Sequence, residues 1–328
     1  MSNQTVAILG AGSWGTAVAI HLATIGNRTL LWGHRPQQVE VIKKERANQF
    51  YLPGVEFPAL LQPTSDLAEC MQADYLIIAV PSHAFAQLLS KLEKPANGIA
   101  WLTKGLDPES NELLSHLVAS KWGAAYPAAI ISGPSFAREV ARLLPTALTI
   151  ASNNAPFQQQ LHQLIHQANI RAYLSNDMIG VQLCGAVKNV LAIACGISDG
   201  LGYGANAKAA LITRGLAEMS RLGQALGARQ ETFLGLAGVG DLVLTCTDDQ
   251  SRNRRFGLLI GQGINKTEAA DKIGQVVEGA HNALQVHNLA GKVAVEMPIC
   301  TQIKDLLEDK ITPSEAVNNL MSRSARAE

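Results

Sequence analysis

The sequence predicts an α/β chain, with an open parallel sheet in its first half and a mainly α-helical second half. Three observations carry that reading. At the N-terminus a β-rich run (TVAIL, 5–9) passes directly into Gly10-Ala11-Gly12-Ser13-Trp14-Gly15 and then into TAVAIHLATIG, whose apolar spacing is helical until Gly26. Short apolar runs recur up to residue 173, several of them continuous, as expected of strands buried on both faces of a sheet. Beyond Asn176 no convincing strand alternation returns. Strand, glycine turn and helix in that order open a Rossmann-type dinucleotide-binding unit. The expected organisation is therefore a Rossmann-type domain over 1–176 and an all-helical domain over 177–328.

In the first turn Gly10 would allow the tight bend, Gly12 the approach of a pyrophosphate to the backbone, and Gly15 the close packing of helix on strand. Phosphates would sit on the helix N-terminus, where N–H groups and the macrodipole favour anions. The second strand (29–32) runs into Gly33-His34-Arg35, with no acid before Glu40. An acid there would hold a ribose 2′-hydroxyl and a basic group accommodates a 2′-phosphate, so the expected cofactor is NADP(H), with NAD(H) as the lesser possibility. Arg35 would lie at the phosphate and His34 at the adenosine; a plain solvated arginine is the competing reading. A polar helical stretch and a loop carrying Pro53, Pro58 and Pro63 follow, then strands at 75–80, 99–103, 129–132, 147–151 and 171–173. Ligands bind off the carboxyl ends of strands in open α/β sheets. That makes Lys104, in Thr103-Lys104-Gly105, and Ser135, in Ser132-Gly133-Pro134-Ser135, candidate substrate contacts, against a simple solubility role in loops.

The second half opens with Ser175 and Asp177 as candidate caps, followed by MIGVQLCGAVKNVLAIACGIS (178–198), apolar on nearly every side with one charge, Lys188. A helix without a polar face belongs inside a large core, and a lysine there loses hydration unless it is paired or gives up its proton. Lys188 is thus a candidate for chemistry, with a structural ion pair or snorkelling as the plain alternatives. The run is about as long as a bilayer span, but Gly180, Gln182, Gly185, Lys188, Asn189 and Gly196 argue against insertion. Further on, 200–204 and 235–241 read as glycine-rich loops, and 207–226 as a helix. The stretch Asp241 to Gln250 leads into Ser251-Arg252-Asn253-Arg254-Arg255, readable as a phosphate clamp or as a basic helix face balanced by Asp248 and Asp249. Val276-Val277-Glu278-Gly279 carries no local signal.

Composition excludes other classes. With 27 Lys+Arg against 27 Asp+Glu, no basic excess points to nucleic acid or anionic lipid. Five scattered cysteines without a CxxC pair suggest neither a disulfide framework nor zinc, and point to a reducing cytoplasm. The apolar stretch 6–20 lacks a preceding basic residue and is broken by glycines, so export is not expected. No ligand set with metal spacing is read, and no metal is expected.

Taken together, GAGSWGTA (10–17), TKGL (103–106), ISGPSFA (131–137), AVKNV (186–190), GVGDLVLTCT (238–247) and SRNRRFG (251–257) resemble the bacterial NAD(P)-dependent glycerol-3-phosphate dehydrogenases over essentially the whole chain. The resemblance implies reversible reduction of dihydroxyacetone phosphate to sn-glycerol 3-phosphate for phospholipid synthesis. It implies Lys188 as proton donor and acceptor, and Lys104, Gly133, Ser135, Asp241, Ser251, Arg252 and Asn253 around the substrate. Ser13, Trp14, His34, Arg35, Lys104, Ala137, Arg252, Val276 and Glu278 would contact the cofactor, with Asn189 and Thr245 in support. A homodimer is common among similar enzymes. Ser135 stands where related sequences often carry Thr, which keeps the hydroxyl. The competing readings are another two-domain dehydrogenase of β-hydroxyacid or ketopantoate type, and a non-catalytic NADPH-sensing module.

Overall fold

A computed structural model describes residues 4–323. Two compact units account for the chain: 1–104 with 114–181, and 105–113 with 182–328. The segment 105–113, which lies inside the first half of the sequence, packs with the helical unit.

The first unit is an eight-stranded sheet in the order β3-β2-β1-β4-β5-β6-β7-β8. Its strands are β1 (Thr5–Leu9), β2 (Arg28–Trp32), β3 (Leu61–Thr64), β4 (Tyr75–Ile78), β5 (Ile99–Trp101), β6 (Ala128–Ser132), β7 (Thr146–Ser152) and β8 (Ile170–Ser175). The helices α1 (Ser13–Thr24), α2 (Pro36–Glu45), α3 (Leu67–Cys70), α4 (Ser82–Lys91), α5 (Leu114–Trp122), α6 (Ala137–Ala141) and α7 (Ala155–Ile165) connect them. Val6 and Ile8 of β1, Leu31 of β2 and Ile77 of β4 share one core with Val18 and Leu22 of α1 and Leu161 of α7. Burial of this continuous apolar surface on both sides is what holds a parallel sheet together.

Two expectations are corrected here. The proline-bearing loop contains a strand, β3, pairing in parallel with β2 at Leu31↔Pro63. Proline lacks the N–H that a central ladder needs, and β3 is an edge strand, where that loss is tolerated. The sheet is also not wholly parallel, because β7 runs antiparallel to β6. Strands buried on both faces read as the same apolar run in either direction, so this reversal leaves no mark on composition.

The second unit comprises α8 (Met178–Gly200), whose first turn counts with the sheet unit, then α9 (Ala205–Ala225), α10 (Gln230–Leu234), α11 (Asp241–Thr247), α12 (Arg252–Gly261), α13 (Lys266–Ile273), α14 (Glu278–Lys292), α15 (Pro298–Leu307) and α16 (Pro313–Met321). Asp177 caps α8 by accepting the Gly180 N–H at 2.8 Å. α8 is the one described helix long and apolar enough to cross a membrane, and 89% of its most apolar stretch is buried inside the protein. Its second half packs backbone to backbone on α12. A Cβ on Gly196 would collide with Arg254 O, one on Gly200 with Leu258 O, and one on Gly257 with Ile193 O. The stretch read as a second glycine loop is instead a π-helical turn, Leu236–Gly240, running straight into α11. Gly238 supplies the non-helical backbone there, and its missing side chain makes room for Phe233 O.

Candidate active site

In the helical unit two of the predicted polar residues, Asp241 and Thr245, meet one buried charge. Lys188, 6% exposed, donates to Asp241 Oδ1 at 2.6 Å and to Thr245 Oγ1 at 2.9 Å. The π-turn sets Asp241 at the first position of α11, and one helical turn places Thr245 over it, where the hydroxyl donates to Asp241 O at 2.6 Å. Desolvation works against the ammonium while the adjoining carboxylate favours it, and truncating one partner of such a pair leaves a buried uncompensated charge. Beside it, Asn253 donates to Asn189 Oδ1 at 2.9 Å and accepts the Gly279 N–H at 2.9 Å. Asn189 in turn donates to Gly185 O. This amide relay ties the starts of α12 and α14 to the middle of α8.

Ser251 caps α12, its hydroxyl accepting the Arg254 N–H. Arg252 donates to Gln275 Oε1 at 3.0 Å, in the turn that carries Val276 and leads to Glu278, the first residue of α14. The three arginines of the motif divide. Arg255 is exposed, and Arg254 turns inward to pair with Asp199 at 2.6 Å and with Asp249. Of the phosphate clamp read from the sequence, Arg254 is therefore spent on holding α12 to the end of α8, and those aspartates keep it charged against the cost of burial. Cys246, one residue beyond Thr245, is buried; its hydrogen bond with Cys195 and its burial push the thiol well above the ordinary value, which suits packing and not nucleophilic attack.

In the sheet unit the first turn passes a direct test of fit for a dinucleotide. Gly10 has φ +139, and a Cβ there would strike the Ala79 backbone, while one on Gly15 would strike Gly10 O. A Cβ on Gly12 would meet nothing within 4 Å. Packing thus dictates Gly10 and Gly15, whereas the open space at Gly12 suits a ligand approaching the backbone. Ser13 and Trp14 begin α1, which has no acidic residue in its first turn to compete with an anion. His34 and Arg35 follow β2 and are exposed. Further along the sheet, Lys104 donates to Gly133 O at 3.0 Å and Ser135 donates to the same oxygen at 2.9 Å. Gly133, at φ +134, turns the chain sharply there, and Ala137 opens the short α6.

Among the described residues no three His, Cys, Asp or Glu side chains come together in a cluster that could hold a metal ion. His162 and His166 do stand four apart on or beside α7 and stack at 4.6 Å, a spacing the sequence reading passed over.

The family model for the C-terminus of NAD-dependent glycerol-3-phosphate dehydrogenase matches residues 177–318, and that for its N-terminus matches 5–158. This chain belongs to the NAD-dependent glycerol-3-phosphate dehydrogenase family. It is 68% identical to a glycerol-3-phosphate dehydrogenase [NAD(P)+] of Legionella pneumophila and 52% identical to one of Aeromonas salmonicida, each alignment covering 100% of both chains. The crystal structure of glycerol-3-phosphate dehydrogenase from Coxiella burnetii is 49% identical, with a TM-score of 0.94 over 98% of this chain and 99% of that one.

Within the glycerol-3-phosphate dehydrogenase framework, sequence reading missed the residues that hold the others in place. Gln275 carries no pattern of its own, and only the fold shows it meeting Arg252. Asp199 lay at the end of an apolar helix, where a lone acid is a weak sign of a buried arginine partner 55 positions away.

Proposed function

We propose that the chain catalyses the reversible NAD(P)H-dependent reduction of dihydroxyacetone phosphate to sn-glycerol 3-phosphate, with Lys188 as general acid and base. The observation that carries the reading is the buried Lys188–Asp241–Thr245 cluster; the names of the full-length relatives support it. When bound, the nicotinamide supplies hydride to the carbonyl carbon. Lys188 then protonates the oxygen that gathers negative charge, and takes that proton back in the oxidation direction. Asp241 holds the ammonium through its Oδ1, while Thr245 limits its swing. Ser251, Arg252 and the N–H groups opening α12 bind the substrate phosphate away from the reacting carbon, which spends binding energy on orientation. Asn253 and Asn189 keep that helix start in register with Lys188. Lys104, Gly133 and Ser135 complete the substrate contacts.

In this proposal Gly10 and Gly15 shape the turn in which Gly12, Ser13 and Trp14 hold the pyrophosphate end of the cofactor, Ala137, Val276 and Glu278 contact its other end, and Arg35 with His34 select NADP(H) over NAD(H). The exposed basic pair after β2, without an acid, supports that preference. Five buried, unbridged cysteines support a reducing cytoplasmic setting. A homodimer, tested by light scattering, and a supply of product to phospholipid synthesis belong to the same proposal. The deciding experiment is NADPH depletion by purified protein with dihydroxyacetone phosphate. Oxidation with a keto acid in its place, and none with dihydroxyacetone phosphate, would overturn the proposal, as would NADPH binding without turnover.

A further inference from the structure

We propose that Asn48 is a positioning residue for the dinucleotide: it sets the direction of the Ala11–Gly12 peptide in the first glycine turn. The inference rests on the cofactor reading above. Asn48 is 0% exposed, in a loop 37 positions from Ala11 and 32 from Thr16. Its Nδ2 donates to Ala11 O at 2.9 Å and to Thr16 Oγ1 at 2.9 Å, and its Oδ1 accepts the Tyr51 N–H at 3.3 Å. A buried amide with three bonds is a fixed point, because leaving any of those groups unpaired costs its desolvation.

The consequence follows from peptide geometry. The carbonyl of Ala11 and the N–H of Gly12 belong to one planar trans unit and point in opposite directions. Holding the carbonyl on Asn48 therefore aims the Gly12 N–H away from Asn48, at a residue whose Cβ position is also open for a ligand's approach. With glycine on its C-terminal side, this peptide would otherwise flip at lower cost than one between two substituted residues. Asn48 is itself held by a closed loop: Arg46 donates to Phe57 O and Pro58 O at 3.1 and 2.7 Å. A second tie joins the same loop to the turn, Ser13 Oγ donating to Tyr51 O at 2.7 Å. The loop between β2 and β3 thus pre-orders a phosphate donor before any ligand arrives, which lowers the ordering cost of binding.

The test is equilibrium binding of NADPH, ADP-ribose and 2′-AMP by calorimetry to wild type, Asn48→Ala, Asn48→Asp and Thr16→Val, with circular dichroism and melting as fold controls. Only the first two ligands carry a pyrophosphate. Asn48→Ala and Asn48→Asp are expected to weaken NADPH and ADP-ribose at least about tenfold and to leave 2′-AMP within about twofold. Thr16→Val, which spares the Ala11 bond, stays near wild type. Unchanged NADPH affinity in folded Asn48 variants, or an equal loss of 2′-AMP, overturns the assignment. If the alanine protein does not fold, the near-isosteric Asn48→Asp decides, and failure of both to fold marks Asn48 as a folding determinant and overturns it as well. A wild type that binds neither NADPH nor ADP-ribose would instead remove the cofactor reading on which this rests.

Discussion

Lys188 Nζ and Asp241 Oδ1 lie 2.6 Å apart, 53 positions from one another in sequence and both nearly excluded from solvent. That closeness makes the two residues separable by experiment. Lys188→Met keeps the length and apolar contacts of the stem and removes the proton, so turnover should fall at least about a hundredfold while the dissociation constant for NADPH stays near wild type. Full turnover in the variant removes Lys188 from the chemistry. Asp241→Asn leaves the ammonium buried without its counter-charge and should also lower stability, by about 3 kcal/mol or more.

Arg252 and Gln275 form a second pair, 3.0 Å apart. If the guanidinium grips the substrate phosphate, Arg252→Ala should raise the Michaelis constant for dihydroxyacetone phosphate by about tenfold to a hundredfold, the worth of a charge-assisted hydrogen bond or two. Gln275→Ala removes an acceptor that orients the guanidinium and should give the smaller rise. A normal Michaelis constant in Arg252→Ala takes the residue out of the substrate site.

Arg35 follows β2, at the N-cap of α2, where an acid would select the unphosphorylated ribose. Arg35→Asp should therefore raise the Michaelis constant for NADPH about tenfold or more while that for NADH changes far less or improves. Equal effects on the two cofactors count against a 2′-phosphate role.

The fold class was legible because it rests on local periodicity: the glycine turn between β1 and α1, the apolar strands, and the charge inside α8 can each be read within a few residues. What stayed hidden depends on distant partners. Pro63 masked β3 because proline argues against a strand unless the strand is known to be at an edge. Gly235 to Gly240 looked like a loop because glycine is a poor helix former, and only packing against Phe233 explains the π-turn. Asn48, Asp199, Gln275 and Glu218 are ordinary polar residues in sequence. Each acquires its role from a residue 23 to 82 positions away.

Glu218 makes the last of these a pH prediction. This carboxylate of α9 is 3% exposed and receives the Ile299 N–H at 2.7 Å and the Cys300 N–H at 3.4 Å, capping α15 from across the helical unit. Burial raises its pKa from 4.5 to about 7, against the lowering effect of those N–H groups and of Arg221. The folded protein therefore holds a proton that the unfolded chain releases above its ordinary value. Stability from this group is fully present below about pH 4.5 and is lost as the pH rises through about 7, a span worth on the order of 3 kcal/mol. Glu218→Gln imitates the protonated acid and should not show that loss. Denaturant unfolding of both proteins from pH 4 to pH 8 measures the difference, which should shift in favour of the glutamine variant up to about pH 7 and then level off. Parallel stability curves would mean that Glu218 is already ionised in the folded protein, its charge carried by the α15 N-terminus.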